Sequence, residues 1–326
     1  MVKTKSPNAK DELEQLARRI KEGDRRAVGR AISLIEDEVP AAETLLDVLF
    51  PLMGKAYRIG ITGPPGAGKS TLTAALTRSF RRQGKKVGII AVDPTSPFTG
   101  GAVLGDRVRM AEFNTDPGVF IRSMASRGSM GGLARKAEEA AEILAAAGAD
   151  IIIFETVGVG QTELEIADTA DTTLVVLVPE SGDSIQAMKA GLMEIADVFV
   201  VNKADREGAD RVQLDLAMML QLRDGTKQDW TPPIVQTVAN QNKGIDALLE
   251  KIEAHHQFLE QRGKLEQRRR RRLQRKTREI VAQKLAEAFW TPEREAALAE
   301  ALQRIDEEHV SPYGLAQRLL EKKKKA

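Results

Sequence analysis

Seven short apolar runs alternate with amphipathic helical segments between Tyr57 and Ala239, and this alternation limits the chain to a small set of folds. The runs are YRIGIT, KVGIIAVD, VFIRSM, DIIIFET, TTLVVLV, DVFVVNK and PIVQTV. Strands that alternate regularly with helices form right-handed βαβ units, and their strands lie parallel in a sheet with helices on both faces. We therefore predict an α/β fold with a mostly parallel sheet and functional sites at the carboxyl ends of its strands.

Helical patterns flank this region on both sides. Apolar residues recur at helical spacing from Asp11 to about Phe50, and again after Gly244. A long helix is predicted from about Lys264 to Phe289, and the segment WTP ends it. We predict an N-terminal helical extension over residues 1–54, an α/β domain over residues 55–260 and a C-terminal helical arm over residues 261–326.

The composition is that of a folded protein in a reducing compartment. The chain has no cysteine, 42% hydrophobic residues and 29% charged residues. No apolar run approaches the roughly 20 residues that a membrane span needs, and the N-terminal residues lack the apolar core of a signal peptide. These features favour a cytoplasmic protein without contact to a membrane.

One segment carries a strong positive charge. The net charge of the chain is +2, but residues 264–278 hold nine basic residues and one acidic residue. A basic stripe is typical of nucleic-acid binding, yet Arg268 to Arg272 encircle a predicted helix and no aromatic residues interleave them. We therefore favour a solvated helix of the arm over an RNA or DNA ligand. His255 and His256, adjacent on another predicted helix, are expected at the surface rather than as ligands.

The most specific motif is GPPGAGKST, which follows a predicted strand and opens a predicted helix. It matches G-x-x-x-x-G-K-[ST], a loop whose backbone N–H groups surround phosphate oxygens. In such a loop the lysine reaches the β and γ oxygens of a nucleotide and the serine reaches Mg²⁺. The candidate phosphate-binding residues are Gly63, Pro64, Pro65, Gly66, Ala67, Gly68, Lys69, Ser70 and Thr71.

A second motif indicates which base the nucleotide carries. Asn202, Lys203 and Asp205 form the N-K-x-D pattern at the end of a predicted strand. A carboxylate at this place accepts from N1–H and the exocyclic amine of guanine, whereas adenine offers it an acceptor, and an unpaired buried polar group costs about 1 to 3 kcal/mol. The pattern thus predicts GTP rather than ATP. Thr237, Val238 and Ala239, which end the next strand, are weaker candidates to close over the base.

Three acidic residues at strand ends or in a neighbouring loop are candidates for the metal and γ-phosphate region. Glu155 opens the sequence ETVGVGQTE, Asp93 ends the strand KVGIIAVD, and Asp106 lies in a Gly- and Pro-rich loop. Mg²⁺ takes one or two carboxylates together with water and phosphate oxygens, so not all three need to be direct ligands. Glu155 resembles the switch aspartate of D-x-x-G, and an ordinary strand end is the alternative.

Together these motifs resemble a known family. GITGPPGAGKST, VDPTSPFTGGAVLGDRVRM, ETVGVGQTE, SGDSIQAMKAGLMEIAD, NKAD and SPYGLAQRLLE are similar to the MeaB/ArgK type of G protein, the GTPase chaperones of cobalamin-dependent methylmalonyl-CoA mutase. The similarity runs from the helical extension to the C-terminal tail. Glutamate is normal in the E-x-x-G position of this family, so the resemblance favours Glu155 as a switch residue.

The resemblance implies a P-loop GTPase domain over residues 55–260 and an arm that forms a homodimer. It implies that Ser70, Asp93, Asp106 and Glu155 form the magnesium environment. It also implies GTP hydrolysis by in-line attack of water, in which Lys69 and Mg²⁺ spread the developing charge. Residues 179–191 match a loop that meets the mutase, with Asp183, Gln186 and Lys189 as candidates. The catalytic candidates are Lys69, Glu155, Asp106, Arg109 and Lys189, and the sequence does not choose between Arg109 and Lys189 as the source of an additional positive charge.

Other functions remain open at this level. A metal-insertion GTPase would share the fold but should carry a Cys/His cluster, and the chain has no cysteine and three histidines. A P-loop kinase acting on a small molecule or a transport-related protein would not need the guanine pattern. A nucleic-acid binder built on the arginine run would show steeply salt-dependent RNA affinity.

Overall fold

The computed structural model describes residues 7–93, 110–125, 132–156, 167–181, 190–223, 229–303 and 310–321. The strands are β1 (Tyr57–Thr62), β2 (Val87–Asp93), β3 (Val119–Ala125), β4 (Ile151–Thr156), β5 (Thr172–Leu177), β6 (Val198–Asn202) and β7 (Ile234–Thr237). The helices are α1 (Pro7–Lys21), α2 (Arg25–Glu36), α3 (Pro40–Leu49), α4 (Lys69–Arg82), α5 (Gly132–Ala146), α6 (Ala190–Ile195), α7 (Ala209–Arg223), α8 (Ile245–Gln261), α9 (Lys264–Phe289), α10 (Pro292–Gln303) and α11 (Pro312–Glu321).

The seven strands form one sheet in the order β3-β2-β4-β1-β5-β6-β7, and each neighbouring pair is parallel. The predicted strands are all found, and the prediction of a mostly parallel α/β sheet is confirmed. Because the strands run in one direction, their carboxyl ends meet at one edge of the sheet. The last residues of β1, β4 and β6 therefore lie at this one edge.

Helices cover both faces of the sheet. Alternate residues of a strand point to opposite faces, so Ile59 and Ile61 of β1 pack in a core with Leu72 and Leu76 of α4, to which α8 also contributes. On the other face, Phe154 of β4 packs in a core with residues of α5, and β5 and β6 share a third core with α7. This two-sided burial explains why the strands read as nearly continuous apolar runs.

The N-terminal helices add to one of these faces. Residues of α1, α2 and α3 share a core with α5, β2 and β4. Asp24 begins α2, and its carboxylate accepts from the backbone N–H groups of Arg26 and Ala27. Arg122 of β3 donates to Ser33 and pairs with Glu36, both on α2. The predicted helical extension is present, and its packing is continuous with the α/β core.

Residue contacts divide the chain into two compact units, Met1–Arg269 and Arg270–Ala326. The second unit contains most of α9 together with α10 and α11, and α11 buries Leu315 and Leu319. The division into domains at residues 54/55 and 260/261 stays a prediction. Within the described ranges, none of the helices combines the length and apolar character that a membrane crossing requires.

Candidate functional site

The loop between β1 and α4 has the conformation that its glycines predict. Gly63 has φ 135° and lies so close to β5 that a Cβ atom would be 2.1 Å from the carbonyl oxygen of Val176. Gly68 has φ 86° and forms the N-cap of α4. Only glycine adopts such angles at low cost, and neither position has space for a side chain. The loop therefore curls tightly and leads directly into the N-terminus of α4.

Lys69 is held inside this loop. Its ammonium group donates to the carbonyl oxygens of Gly63 at 2.8 Å and Pro64 at 2.9 Å, and the residue is only 6% exposed. A buried ammonium group requires such oxygen partners because an uncompensated charge is strongly disfavoured away from water. The motif thus places a positive charge within the loop, next to the helix N-terminus that attracts anions.

Ser70 and Glu155 meet at the carboxyl edge of the sheet. Ile151, Ile153 and Glu155 alternate along β4 and point to the face that α4 covers, so the last of them faces the beginning of that helix. The hydroxyl of Ser70 donates to Oε1 of Glu155 at 2.5 Å, and both residues are buried. A hydroxyl and a carboxylate thus stand side by side at the start of α4.

Asp93 lies at the corresponding end of the neighbouring strand. It is the last residue of β2, which pairs with β4 so that Val92 is opposite Thr156. The backbone of Asp93 therefore lies at the same edge as Glu155, and the structure describes nothing of its side chain. Asp106, Arg109, Lys189, Asp183 and Gln186 lie outside the described residues.

Asn202 connects the base motif to the phosphate loop. Its side-chain amide donates to the carbonyl of Ala67 at 2.8 Å, and its Oδ1 accepts from the hydroxyl of Thr237 at 3.1 Å and the backbone N–H of Ala239 at 3.2 Å. The residue is 3% exposed. One buried side chain thus fixes the ends of β6 and β7 relative to the phosphate loop.

The rest of the N-K-x-D segment lies at the surface of the same edge. Lys203 has φ 57°, which turns the chain sharply after β6, and Asp205 is exposed. The backbone N–H of Ala204 donates to the carbonyl of Thr237 at 3.0 Å. Thr237, Val238 and Ala239 are buried, and the bridge from Val238 to Lys243 closes the loop that follows. The two candidate base segments are therefore adjacent.

A buried polar cluster at the opposite edge of the sheet was not predicted. His255 of α8 is fully buried rather than at the surface, so the surface prediction for it is wrong. Its Nδ1 lies 2.6 Å from the hydroxyl of Thr172, and its Nε2 lies 3.2 Å from Asp197. Arg268 donates to both carboxylate oxygens of Asp197, at 3.0 and 3.1 Å, and to the carbonyl of Asp171 at 2.6 Å.

Charge and burial compete at Asp197. Burial by itself would raise the pKa of Asp197, but hydrogen bonds from His255 and Arg268 outweigh it and the pKa lies below the ordinary value of 3.8. The neighbouring Arg269 lies 3.7 Å from the buried Asp171 carboxylate. The expectation that the arginine run is a solvated surface is therefore wrong for Arg268 and Arg269, which bind the sheet, and for Arg272, which is 7% exposed. In the sequence, Arg268 is 71 residues from Asp197 and 97 residues from Asp171, so no local pattern reveals these contacts.

A curled glycine loop, a buried lysine and a serine at the start of α4, placed at the carboxyl edge of a parallel sheet, define a P-loop NTPase. The chain belongs to the MeaB family, described as "Methylmalonyl Co-A mutase-associated GTPase MeaB", whose family model matches residues 28–294. It is accordingly a GTPase that binds a guanine nucleotide.

Relatives are similar over most of this chain. A Pyrococcus abyssi protein whose name assigns it as a GTPase is 49% identical over 94% of this chain and 96% of its own. GTPase ArgK of Escherichia coli is 37% identical over 78% and 79%, and the mitochondrial methylmalonic aciduria type A homolog of Mus musculus is 34% identical over 73% and 61%. A crystal structure of a protein named "LAO/AO transport system kinase" superposes with a TM-score of 0.72 at 28% identity, covering 98% of both chains.

Proposed function

We propose that this GTPase serves a cobalamin-dependent acyl-CoA mutase of the methylmalonyl-CoA mutase type, in its assembly, protection or cofactor loading. The family description associates its members with methylmalonyl-CoA mutase, and the mouse relative is named for methylmalonic aciduria. The observation that carries the switch part of the proposal is the contact between Ser70 and Glu155. It brings the start of α4 and the glutamate of the E-x-x-G pattern together at a point where a change in the nucleotide can affect both.

In the proposed reaction the backbone N–H groups of residues 63–71 bind the phosphates. Lys69 exchanges its carbonyl partners in the loop for the β and γ oxygens of GTP, because a phosphate oxygen carries more negative charge than a carbonyl. Its ammonium group then stabilises the charge that develops as water attacks the γ-phosphate. Arg109 and Lys189 are the candidates for an additional positive charge.

The residues at this edge fit a magnesium ion. Mg²⁺ prefers hard oxygen ligands, and the serine hydroxyl and the glutamate carboxylate supply two oxygens at the start of α4. We propose that Ser70, Asp93, Asp106 and Glu155 form its environment, as direct ligands or through water. The bound ion would neutralise negative charge on the phosphates. Glu155 would orient the segment after β4 according to whether the γ-phosphate is present.

The base is proposed to lie between the two segments that Asn202 joins. Asp205 would accept from N1–H and the amine of guanine, while Lys203 and residues 237–239 form the walls. Supporting this assignment, Thr237 and Ala239 both donate to Asn202, so the walls are held at fixed separation. A base site of fixed width can reject a nucleotide whose hydrogen bonds do not match.

The C-terminal unit is proposed to form a homodimer. Exposed apolar side chains support this, because a second copy that covers them would remove apolar surface from water. They are Leu273, Val281, Leu285, Trp290, Leu302, Tyr313 and Leu320. Residues 179–191 are the proposed contact for the mutase, with Asp183, Gln186 and Lys189 as its polar residues. A cytoplasmic location also stays a prediction.

The test uses the purified protein and a purified adenosylcobalamin-dependent mutase. We expect them to associate with different affinities in the presence of GTP and GDP, and the mutase to accelerate GTP hydrolysis. The control is an acyl-CoA enzyme that does not use cobalamin. Equal hydrolysis rates with both enzymes, together with no association in either nucleotide state, would reject the mutase as the partner.

A kinase is the second candidate, because the protein in the similar crystal structure is named as a transport system kinase. This function requires transfer of the γ-phosphate to a protein or small molecule rather than to water. Incubation with γ-labelled GTP and candidate acceptors distinguishes the two. Label in inorganic phosphate alone supports hydrolysis, and label retained on an acceptor supports the kinase.

A further inference from the structure

Arg78 links the phosphate-loop helix to the loop behind the candidate base site. It lies on α4, nine residues after Lys69, and is about one-third exposed. One guanidinium nitrogen donates to Glu112 at 2.5 Å and the other donates to Oδ1 of Asn242 at 3.0 Å. Glu112 lies in the 3-10 helix Ala111–Phe113, and Asn242 ends the 3-10 helix Ala239–Gln241.

These bonds complete a ring of contacts that begins at Arg78 on α4 and returns to the residues just before this helix. Asn242 donates its backbone N–H to the carbonyl of Ala239, and Ala239 donates its own N–H to Asn202. Asn202 donates to Ala67, which lies two residues before α4 begins. Thus α4 holds the loop after β7 at two places, through Asn202 at the N-terminal end of the helix and through Arg78 two and a half turns later.

The backbone conformation of Asn242 indicates why its hydrogen bond with Arg78 matters for the loop. It has φ 55°, which few non-glycine residues adopt and which asparagine tolerates better than most. A residue in this region returns readily to other conformations unless its surroundings hold it. The bond from Arg78 provides such a restraint, and Glu112 fixes the orientation of the guanidinium group that makes it.

We infer that Arg78 is a positioning residue of the guanine site. By holding Asn242, it keeps Ala239 and the wall formed by residues 237–239 at the distance that accepts guanine. It lies two and a half helical turns beyond Lys69 and contacts Glu112 and Asn242, so its effect falls on recognition of the base and not on the chemical step. The inference rests on the proposed placement of the base next to Asp205 and residues 237–239.

The test compares two variants that break the same bond by different means. Arg78→Ala removes the donor, and Asn242→Gly removes the acceptor while retaining a residue that adopts positive φ without strain. Arg82→Ala is the matched control, because Arg82 lies one turn further along the same helix, is 70% exposed, and contacts Ser79 and Asp246 rather than the base loop. Asn242→Asp keeps an oxygen acceptor and should retain function.

We expect Arg78→Ala and Asn242→Gly each to raise the KM and the Kd for GTP about threefold to tenfold, the range that one partly exposed, charge-assisted hydrogen bond supports. The kcat at saturation and the affinity for ATP should stay within about twofold, since neither depends on the guanine wall. The double variant should be no weaker than Arg78→Ala alone, because both changes remove one contact.

An unchanged KM in Arg78→Ala, an equal loss in Arg82→Ala, or additive losses in the double variant would overturn the inference. Asp205→Asn, measured beside these variants, tests the proposed location of the base separately from the role of Arg78. If Asp205→Asn alters base preference but Arg78→Ala does not alter GTP affinity, only the role of Arg78 is rejected. If Asp205→Asn has no effect, the location of the base is rejected as well.

Discussion

The side-chain amide of Asn202 lies against Gly68, so that a Cβ atom at position 68 would be 2.5 Å from Nδ2. Gly66, two residues earlier, has a similarly positive φ of 77°, and its Cβ would meet no atom within 4 Å. Both glycines thus have a left-handed backbone conformation, and only Gly68 also depends on the absence of a side chain.

Alanine at these two positions separates backbone strain from steric overlap. Gly66→Ala should cost about 1 to 2 kcal/mol of GTP binding from strain alone. Gly68→Ala should lose at least about tenfold more affinity, because the new methyl group displaces the amide that bonds Ala67 and Ala239. Titration of both variants with a fluorescent GTP analogue measures the difference. Equal losses would mean that the contact with Asn202 has no part in forming the site.

Removal of the buried lysine tests the phosphate loop. Lys69→Ala should lower the rate of GTP hydrolysis at least about 100-fold, since the variant lacks the positive charge that faces the developing negative charge. Lys251→Ala, at an exposed lysine of α8, removes the same charge elsewhere and should retain full activity. Phosphate release under saturating GTP is the measurement, and full turnover in Lys69→Ala would contradict the assignment.

The serine at the start of α4 should determine the requirement for a divalent cation. Ser70→Ala should raise the Mg²⁺ concentration for half-maximal hydrolysis about 10- to 100-fold, because it removes an oxygen ligand beside Glu155. Ser70→Thr retains the hydroxyl and should stay close to the unmodified protein. Rate measurements across a Mg²⁺ series give the result. An identical Mg²⁺ dependence in all three proteins would exclude the serine from the magnesium environment.

The base assignment is tested at Asp205. Asp205→Asn should weaken GTP binding at least about tenfold, because an amide nitrogen now faces the donors of guanine. The same amide can donate to the 2-oxo group of xanthine, so affinity for xanthosine triphosphate should rise. Competition between the two nucleotides measures the change. Asp210→Asn, at another exposed aspartate of this region, should leave the preference for GTP unchanged.

The polar cluster at the far edge should affect stability rather than activity. Asp197→Asn should lower the free energy of unfolding by about 1 to 3 kcal/mol at neutral pH, since it removes the carboxylate partner of Arg268, whose side chain is 38% exposed and therefore remains partly hydrated. The pKa of Asp197 is lower in the folded protein than the ordinary 3.8, so the charged carboxylate stabilises the fold above about pH 4 and this contribution is lost as the pH falls further.

Denaturant unfolding of both proteins over a pH series checks this sign. The gap in stability between the unmodified protein and Asp197→Asn should be widest near neutral pH and should narrow below about pH 4. A gap that widens on acidification would mean that the carboxylate destabilises the folded state. GTP hydrolysis by the folded variant at neutral pH should remain close to normal, because Asp197 precedes β6 and Asn202 ends it.

Local patterns in the sequence predicted the elements and motifs well. Apolar runs identified all seven strands, and the phosphate loop and the Asn202 motif lie together at one edge, as parallel strands require. Polar contacts between residues far apart in the sequence were not predicted, because no local sequence pattern indicates them. His255 is polar and lies on a helix beside exposed residues, yet its partners Thr172 and Asp197 are 83 and 58 residues away. For the same reason, the sequence did not distinguish Arg268, which binds Asp197, from the other arginines of the run.

The attachment of Arg268 to Asp197 also has a practical consequence for anyone who wishes to study the catalytic body without the arm. A protein shortened after residue 260, where the pattern of the sequence changes, would lack the arginine that pairs with the Asp197 carboxylate and should be less stable. Retaining nine further residues, to Arg269, keeps both arginine contacts and ends where the first compact unit ends.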